Sequence, residues 1–369
     1  MIVHLFDDQK FVDTTIRRFD NFNADINRYI VFSNKKKLKY VQNTKRIRKL
    51  SLSPHNINYD LIFDHCNLLV IHFLTPLKSF LIKKAPSNVK ILWISWGADF
   101  YNQFKYFPLY ESLTKKLILK NFFFHFRKSN IYNIYHLLRY RVLPIRLEKK
   151  ILGKIDFLST VVPYEFKLIT NEFNFKPKYI DFSYGVSNYN NNDYVNLGNK
   201  VLIGNSATYS NNHLDIFEKI KKSNCEFICP INYGGFDFKS YQKIVIKSGR
   251  NYFKNRISFL TKYLSADEYD KVLYDCNTAI MFHIRQQALA NIFKLLFYGV
   301  RIFLNDKSLL YKYLLQKGAI IFNLKSHLNL IGIELNEKEK NINKKIVNTL
   351  RGSDVIDEKY QNIILIHNA

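Results

Sequence analysis

One pattern constrains the chain more than any other: short apolar runs alternate with segments of helical length, and the series restarts once. MIVHLF (1–6), RYIVFS (28–33), LLVIHFL (68–74), KILWISW (90–96) and DFLSTVV (156–162) read as strands. The segments between them carry Lys and Arg along one side. After VSNYNNNDYVNLGNK (186–200), which is rich in Asn and has little to bury, the alternation resumes. KVLIGNS (200–206), EFICPI (226–231), RISFL (256–260), TAIMFH (278–283) and VRIFL (300–304) are the second set. Unbroken apolar strands separated by helices predict parallel sheets covered on both faces. The Asn-rich break reads as an interdomain linker.

The expected fold class is therefore α/β, with two Rossmann-like β/α/β domains facing across a cleft. The first spans 1–188, a linker covers 189–199 and the second domain covers 200–350. A tail over 351–369 could pack back on the first domain. It matches the two-Rossmann-domain architecture of GT-B glycosyltransferases, which periplasmic binding proteins and some epimerases share, so the pattern alone does not establish it.

Charge narrows the partners. The chain has 56 Lys+Arg against 30 Asp+Glu, a net of +26. Residues 1–150 hold 27 basic and 10 acidic residues, and the densest part is 101–150, where Lys and Arg mix with Phe, Tyr, Leu and Ile. Such a mixture suits a helix lying on an anionic membrane surface, a nucleic-acid groove, or an ordinary amphipathic helix. No helix-turn-helix, zinc-finger or RNP-like signature accompanies it, so nucleic acid ranks last. With 16% aromatic residues this is no disordered basic tail. The longest apolar candidate for a membrane span, His65 to Leu77, is too short and too polar. Asp7 and Asp8 interrupt the opening apolar run where a secretory signal would continue, and the four Cys (66, 225, 229, 276) form neither a disulfide framework nor a zinc pattern. Cys225 and Cys229 are expected in a buried strand, in a reduced cytosolic compartment.

Two strand–helix junctions in the second half are candidates for holding a nucleotide diphosphate. In VLIGNSATYSNNHLDIFEKIKK (201–222) the strand ends at Ile203. Gly204, Asn205, Ser206, Thr208, Ser210, Asn211 and Asn212 follow, with a helix from about His213. Small hydroxyl and amide groups before a helix N-terminus can hold a diphosphate; the alternative is a simple helix cap by Ser210 or Asn211. In TAIMFHIRQQALANIFKLLFYGVRIFL (278–304) the strand ends near His283, and Arg285, Gln286 and Gln287 are expected to open a helix that closes at Gly299. Arg285 could grip a phosphate there, or lie on the surface. Tyr233, before Gly234 and Gly235, could stack on a base or sugar, or sit in a plain turn. Ser265 to Glu268 reads as a capping box.

In the first half, His4 and the turn residues Asp7, Asp8 and Gln9 are placed at the end of the first strand. His72 lies near the end of the third strand, and Asp99 follows the fourth. Strand ends on that edge bind ligands in open α/β sheets, and Asp or His there could take a proton from a sugar hydroxyl. The alternatives are a core histidine at 72 and a helix cap at 99.

WGADFY (96–101), IGNSATYSNNH (203–213), SADEYDKVLYDC (265–276) and HIRQQALANIFKLLFYG (283–299) resemble the bacterial 4-acetamido-4,6-dideoxygalactosyltransferases of glycosyltransferase family 56. The opening MIVHLFDDQKFVDTTIRRF is also similar, and the resemblance runs in patches to about residue 325. It implies a GT-B fold, a TDP-sugar donor (TDP-Fuc4NAc) on the second domain and an undecaprenyl-diphosphate-linked saccharide acceptor at the first. It also implies peripheral association with the cytoplasmic face of the inner membrane and a role in enterobacterial common antigen or a similar polysaccharide. Gly204, Asn205, Ser206, Ser210, Asn211, His213, Tyr233, Arg285, Gln286 and Gln287 are then the donor residues, and Asp7, Asp8, His72 and Asp99 face the acceptor. No metal or other cofactor is implied. The glutamate pair of many retaining GT-B enzymes is absent: counted back from Tyr298 and Gly299, its positions hold Gln286 and Lys294. The rival readings are a non-catalytic sugar- or nucleotide-binding module and, last, a nucleic-acid-binding protein.

Overall fold

The structure, a computed structural model, describes residues 1–101, 104, 108–120, 149–185, 198–235 and 237–368. The chain divides into two compact units. The first comprises Met1–Tyr106, Phe123–Gly185 and Ser353–Ala369; the second comprises Phe107–Phe122 and Val186–Gly352. The basic stretch at 121–148 and linker residues 189–197 lie outside the described residues.

The first unit is built on seven parallel strands: β1 (Ile2–Asp7), β2 (Asn27–Phe32), β3 (Ile47–Leu50), β4 (Leu68–His72), β5 (Lys90–Ser95), β6 (Phe157–Thr160) and β7 (Lys178–Tyr179). Their order is β3-β2-β1-β4-β5-β6-β7. The central strands are buried on both faces, which is why they read as unbroken apolar runs. β3 and β7 gave no such signal. β3 is a charged edge strand, IRKL, with its two basic residues exposed, and β7 is only two exposed residues long. His4, expected at the end of β1, is its third residue and pairs in register with Tyr29 and Val70.

Helix Ser353–Asn368 completes this core. Its Ile356, Tyr360 and Ile363 are fully buried with Phe6, Ile16 and Phe19, and the Tyr360 ring lies 4.6 Å from Phe19. Each such burial contributes about 2 kcal/mol. Arg18 pairs with Asp357 on the same helix.

The second unit carries β8 (Lys200–Ile203), β9 (Phe227–Pro230), β10 (Ile257–Leu260), β11 (Cys276–Met281) and β12 (Arg301–Leu304), all parallel, in the order β10-β9-β8-β11-β12. Phe217, Phe227, Tyr241 and Phe253 fill its core. Segment 107–122 belongs here and not to the first half that surrounds it in sequence. The reason is local. The Leu113 and Thr114 N–H groups donate to the Asp215 carboxylate at 2.8 and 3.0 Å, and Asn305 and Lys307 donate to Glu111 at 2.9 and 2.8 Å. Ser265 and Glu268 form the capping box. Cys229 is buried in β9, whereas Cys225 lies before it and is half-buried; all four cysteines are free thiols.

Both sheets grow outward in two directions from an inner strand, β1 or β8, so the order reverses between β1 and β4 and between β8 and β11. The carboxyl ends of those strand pairs are where an open α/β sheet binds ligands. No helix among the described residues is long and apolar enough to cross a membrane.

Candidate active site

At the β8/β11 reversal the chain leaves β8 through Gly204, whose φ is +66°. A Cβ at this position would stand 2.6 Å from Asn211 Oδ1, so a glycine here answers both the left-handed backbone and the close approach. Asn211 is fully buried and is the hub of the loop. Its Nδ2 donates to the Ser206 carbonyl and to Thr208 Oγ1, both at 2.8 Å, and its Oδ1 accepts from the Asn205 N–H at 3.1 Å. From the end of β11, His283 Nε2 stands 2.8 Å from Asn211 Oδ1 and 3.2 Å from Asn205 Oδ1. Two flanking amide oxygens fix the ring proton on Nε2.

Gln287 joins the two strand ends. Its Nε2 donates to Asn205 Oδ1 at 2.9 Å and Thr208 Oγ1 at 3.2 Å, while its Oε1 accepts from Ser210 Oγ at 2.6 Å. Arg285 reaches Ser210 Oγ at 3.5 Å and donates to the Gln286 carbonyl at 3.0 Å. Tyr233 stands at the rim, 53% exposed, its hydroxyl accepting from Asn205 Nδ2 at 3.0 Å. Asn205, Ser206, Ser210, Asn211, Tyr233, Arg285 and Gln287, all read from the sequence as donor residues, thus form one connected network.

One expectation and one alternative are corrected. Arg285, Gln286 and Gln287 do not open the helix; it runs from Leu289 to Phe297, after a left-handed Ala288. The three residues form an irregular turn, which lets Gln287 fold back onto Asn205. Nor do Ser210 and Asn211 cap the next helix. They lie in a 3₁₀ turn, and helix His213–Ile220 starts after left-handed Asn212 with no side-chain cap.

Burial holds His213 and His283 neutral, each with its pKa pushed down to about 3; the Arg285 charge adds to the effect on His283. His213 Nδ1 meets the Tyr241 hydroxyl at 3.2 Å, and its buried Nε2 has no partner among the described residues, as is true of Gln286 Oε1. The network is a set of amides, hydroxyls and neutral imidazoles with one guanidinium beside it. It can present hydrogen-bond donors and one positive charge to an anion.

The β1/β4 reversal is built differently. A one-way hydrogen-bond chain runs through it. Trp96 Nε1 donates to the Tyr184 hydroxyl (3.1 Å), which donates to His72 Nδ1 (2.6 Å). His72 Nε2 donates to His4 Nδ1 (3.2 Å), and His4 Nε2 donates to Asn27 Oδ1 (2.9 Å). Burial lowers the His4 pKa to about 4 and that of His72 well below its ordinary value. His72 is therefore a neutral core group whose two ring nitrogens are both occupied.

Asp99 is buried and accepts from Trp93 Nε1 and from the Leu74 and Trp96 N–H groups at 2.9–3.1 Å. Burial raises its pKa against the pull of those bonds. Asp8 accepts from the Tyr40 and Val41 N–H groups at 2.9 and 3.2 Å. Asp7, at the end of β1, pairs with Lys78 at 2.6 Å and stays partly exposed. Lys78, Tyr184 and Asn27 were not read from the sequence. Lys78 alone left a trace: it is the one charged residue between Leu77 and Ile82, in the apolar first part of helix Pro76–Lys84.

A family model described as 4-alpha-L-fucosyltransferase, glycosyl transferase group 56, matches residues 111–339 of the 369. The chain belongs to that family. It is a glycosyltransferase. No curated protein matches it in sequence. Among solved structures it is similar to sucrose-phosphate synthase from Thermosynechococcus elongatus, at TM-score 0.64 and 10% identity over 100% of both chains. Anabaena Alr3699/HepE, solved with UDP and glucose, matches at TM-score 0.62 and 10% identity, over 99% of this chain and 100% of that one. A UDP-forming α,α-trehalose-phosphate synthase from Burkholderia xenovorans matches at 0.60 and 8%, over 100% of each. At these identities the likeness concerns fold, and the fold is GT-B. The family match begins at Glu111, within the first segment of the second unit, and leaves all of β1–β5 to the resemblance in fold.

Proposed function

We propose that this family 56 glycosyltransferase transfers a Fuc4NAc-like deoxyamino sugar from a TDP-sugar to an undecaprenyl-diphosphate-linked saccharide. The product would serve a cell-surface polysaccharide of the enterobacterial common antigen or O-antigen type, made at the cytoplasmic face of the inner membrane. The observation that carries the donor half is the neutral network at the β8/β11 reversal with Arg285 beside it. Asn205, Ser206, Ser210 and Gln287 offer hydrogen bonds to the diphosphate, Arg285 offers charge, Tyr233 lines the rim, and Gln286 and His213 flank the loop, with Gln286 Oε1 and His213 Nε2 buried and without a hydrogen-bond partner among the described residues. Gly204 and Asn211 shape the loop. No metal is needed in this reading, because guanidinium and amide donors stabilise the departing diphosphate. At the β1/β4 reversal Asp7 faces the acceptor, while Asp8, His72 and Asp99 shape the edge that presents it. The excess positive charge favours an anionic bilayer beside a lipid-linked acceptor.

A screen of TDP- and UDP-sugars against an undecaprenyl-diphosphate-linked disaccharide tests this directly. Turnover with TDP-Fuc4NAc is the expected result, and turnover confined to UDP-sugars sinks the donor assignment. Co-sedimentation with anionic against neutral liposomes tests the membrane claim, and equal partitioning counts against it.

A further inference from the structure

Lys78 sits in helix Pro76–Lys84 with a side chain that has no solvent exposure. Lysine is almost never fully buried unless paired. A buried ammonium costs several kcal/mol unless its protons are all taken up. Here they are: Asp7 Oδ2 accepts at 2.6 Å, the His72 carbonyl at 2.6 Å and the Phe73 carbonyl at 3.1 Å.

Those acceptors lie on both sides of one strand reversal. Asp7 ends β1, His72 ends β4, and β1 and β4 are neighbours. Phe73 adopts φ +66°, a conformation that a bulky residue rarely takes and that persists only where its surroundings hold it. Lys78 grips the carbonyl of that residue and of the one before it. The Phe73 ring lies 5.2 Å from Trp96, the head of the His72 hydrogen-bond chain. An uncharged chain of similar length, such as methionine, would fill the same space without the desolvation cost, so packing does not call for an ammonium. What the ammonium adds is a fixed point for one oxygen of Asp7, whose side chain is 25% exposed where that of Lys78 is 0%.

We propose that Lys78 is a positioning residue for glycosyl transfer. It anchors Oδ2 of Asp7 at the β1/β4 reversal, so that the other carboxylate oxygen accepts the hydrogen bond of the attacking acceptor hydroxyl. Lys78 touches no substrate and acts through Asp7. This rests on the reading that the acceptor lies at the edge of the first sheet.

The test is a double-mutant cycle of Lys78→Met, Asp7→Asn and the pair. It is read as kcat and acceptor KM with TDP-Fuc4NAc and an undecaprenyl-diphosphate-linked disaccharide. TDP affinity and Tm are measured on each variant. Each single change should lower kcat/KM for acceptor by ~100-fold, the scale of a reacting group displaced by about 1 Å. TDP affinity should hold within about twofold, and the double variant should be no worse than the worse single one. Independent losses that multiply would make Lys78 merely structural and overturn the proposal. If Lys78→Met does not fold, Asp7→Asn still decides: unchanged acceptor kinetics overturn it. A wild-type protein that binds no TDP would instead refute the donor assignment, which leaves the two failures distinguishable.

Discussion

The two strand reversals carry different residue types on the same topology. At β8/β11 the side chains are amides, hydroxyls and neutral imidazoles, with Arg285 as the neighbouring charge. At β1/β4 a buried ammonium paired with a partly exposed carboxylate lies beside a cluster of aromatic rings, with Phe11 4.6 Å from Trp96 and 4.3 Å from Tyr184. An anion is held best where no carboxylate competes. A hydroxyl that must lose a proton needs a carboxylate close by. Parallel sheets deliver strand ends to one edge in both cases, and under the proposed function the residue types placed there would separate donor from acceptor chemistry.

The contrast breaks first at its single guanidinium. Arg285→Ala should cut TDP-sugar turnover by roughly a hundredfold or more with Tm unchanged, as expected for removing one charge from a phosphate contact. Near-normal turnover would remove Arg285 from the donor site.

Acid should next erode both reversals together. His4, with its pKa near 4, and His213 and His283, near 3, are held below the ordinary 6.5 by burial, and His72 lies below it too. The unfolded chain therefore binds protons first. Stability is complete above about pH 6.5 and falls as pH drops toward these folded values, by about 1.4 kcal/mol per pH unit for each histidine. The His4 share ends near pH 4, and those of His213 and His283 near pH 3. Urea midpoints at pH 7, 6 and 5 measure this. A flat profile would mean that the imidazoles are hydrated and that the two networks are not the dry structures described.

Gly204→Ala sharpens the donor side alone. The left-handed backbone costs about 1–2 kcal/mol with a Cβ, and the approach of 2.6 Å to Asn211 Oδ1 adds to it. Lower Tm together with weaker TDP binding is expected; unaltered TDP binding would detach the loop from the ligand. The smallest effect belongs to Tyr233→Phe. Losing one rim hydrogen bond worth about 1 kcal/mol should raise donor KM severalfold and leave Tm in place. A hundredfold change would make Tyr233 a central contact.

The sheets were legible because buried parallel strands must be apolar throughout, and ten of their strands announce themselves in that way. The hydrogen-bonded loop at 204–212 was legible because six small polar residues between a strand and a helix exceed what one cap needs. What stayed hidden depends on pairing across distance. Lys78 looks like a helix-surface lysine until Asp7, 71 residues earlier, is placed against it. His4 and His72 look like ligand-edge groups until their ring nitrogens are found joined to each other. The turn at 285–287 was mistaken for a helix start because left-handed Ala288 has no residue signature comparable to glycine.

The path of the chain between the units has a consequence for synthesis. The second unit takes its first segment from Phe107–Phe122, and the first unit takes its last helix from Ser353–Asn368. During translation β1 through β6 emerge early, yet the core that receives Tyr360 stays open until helix Ser353–Asn368 has left the ribosome. The N-terminal half thus waits on the C-terminal half. A chain cut at residue 186 would yield one fragment with an uncovered core and another without the segment that satisfies Asp215.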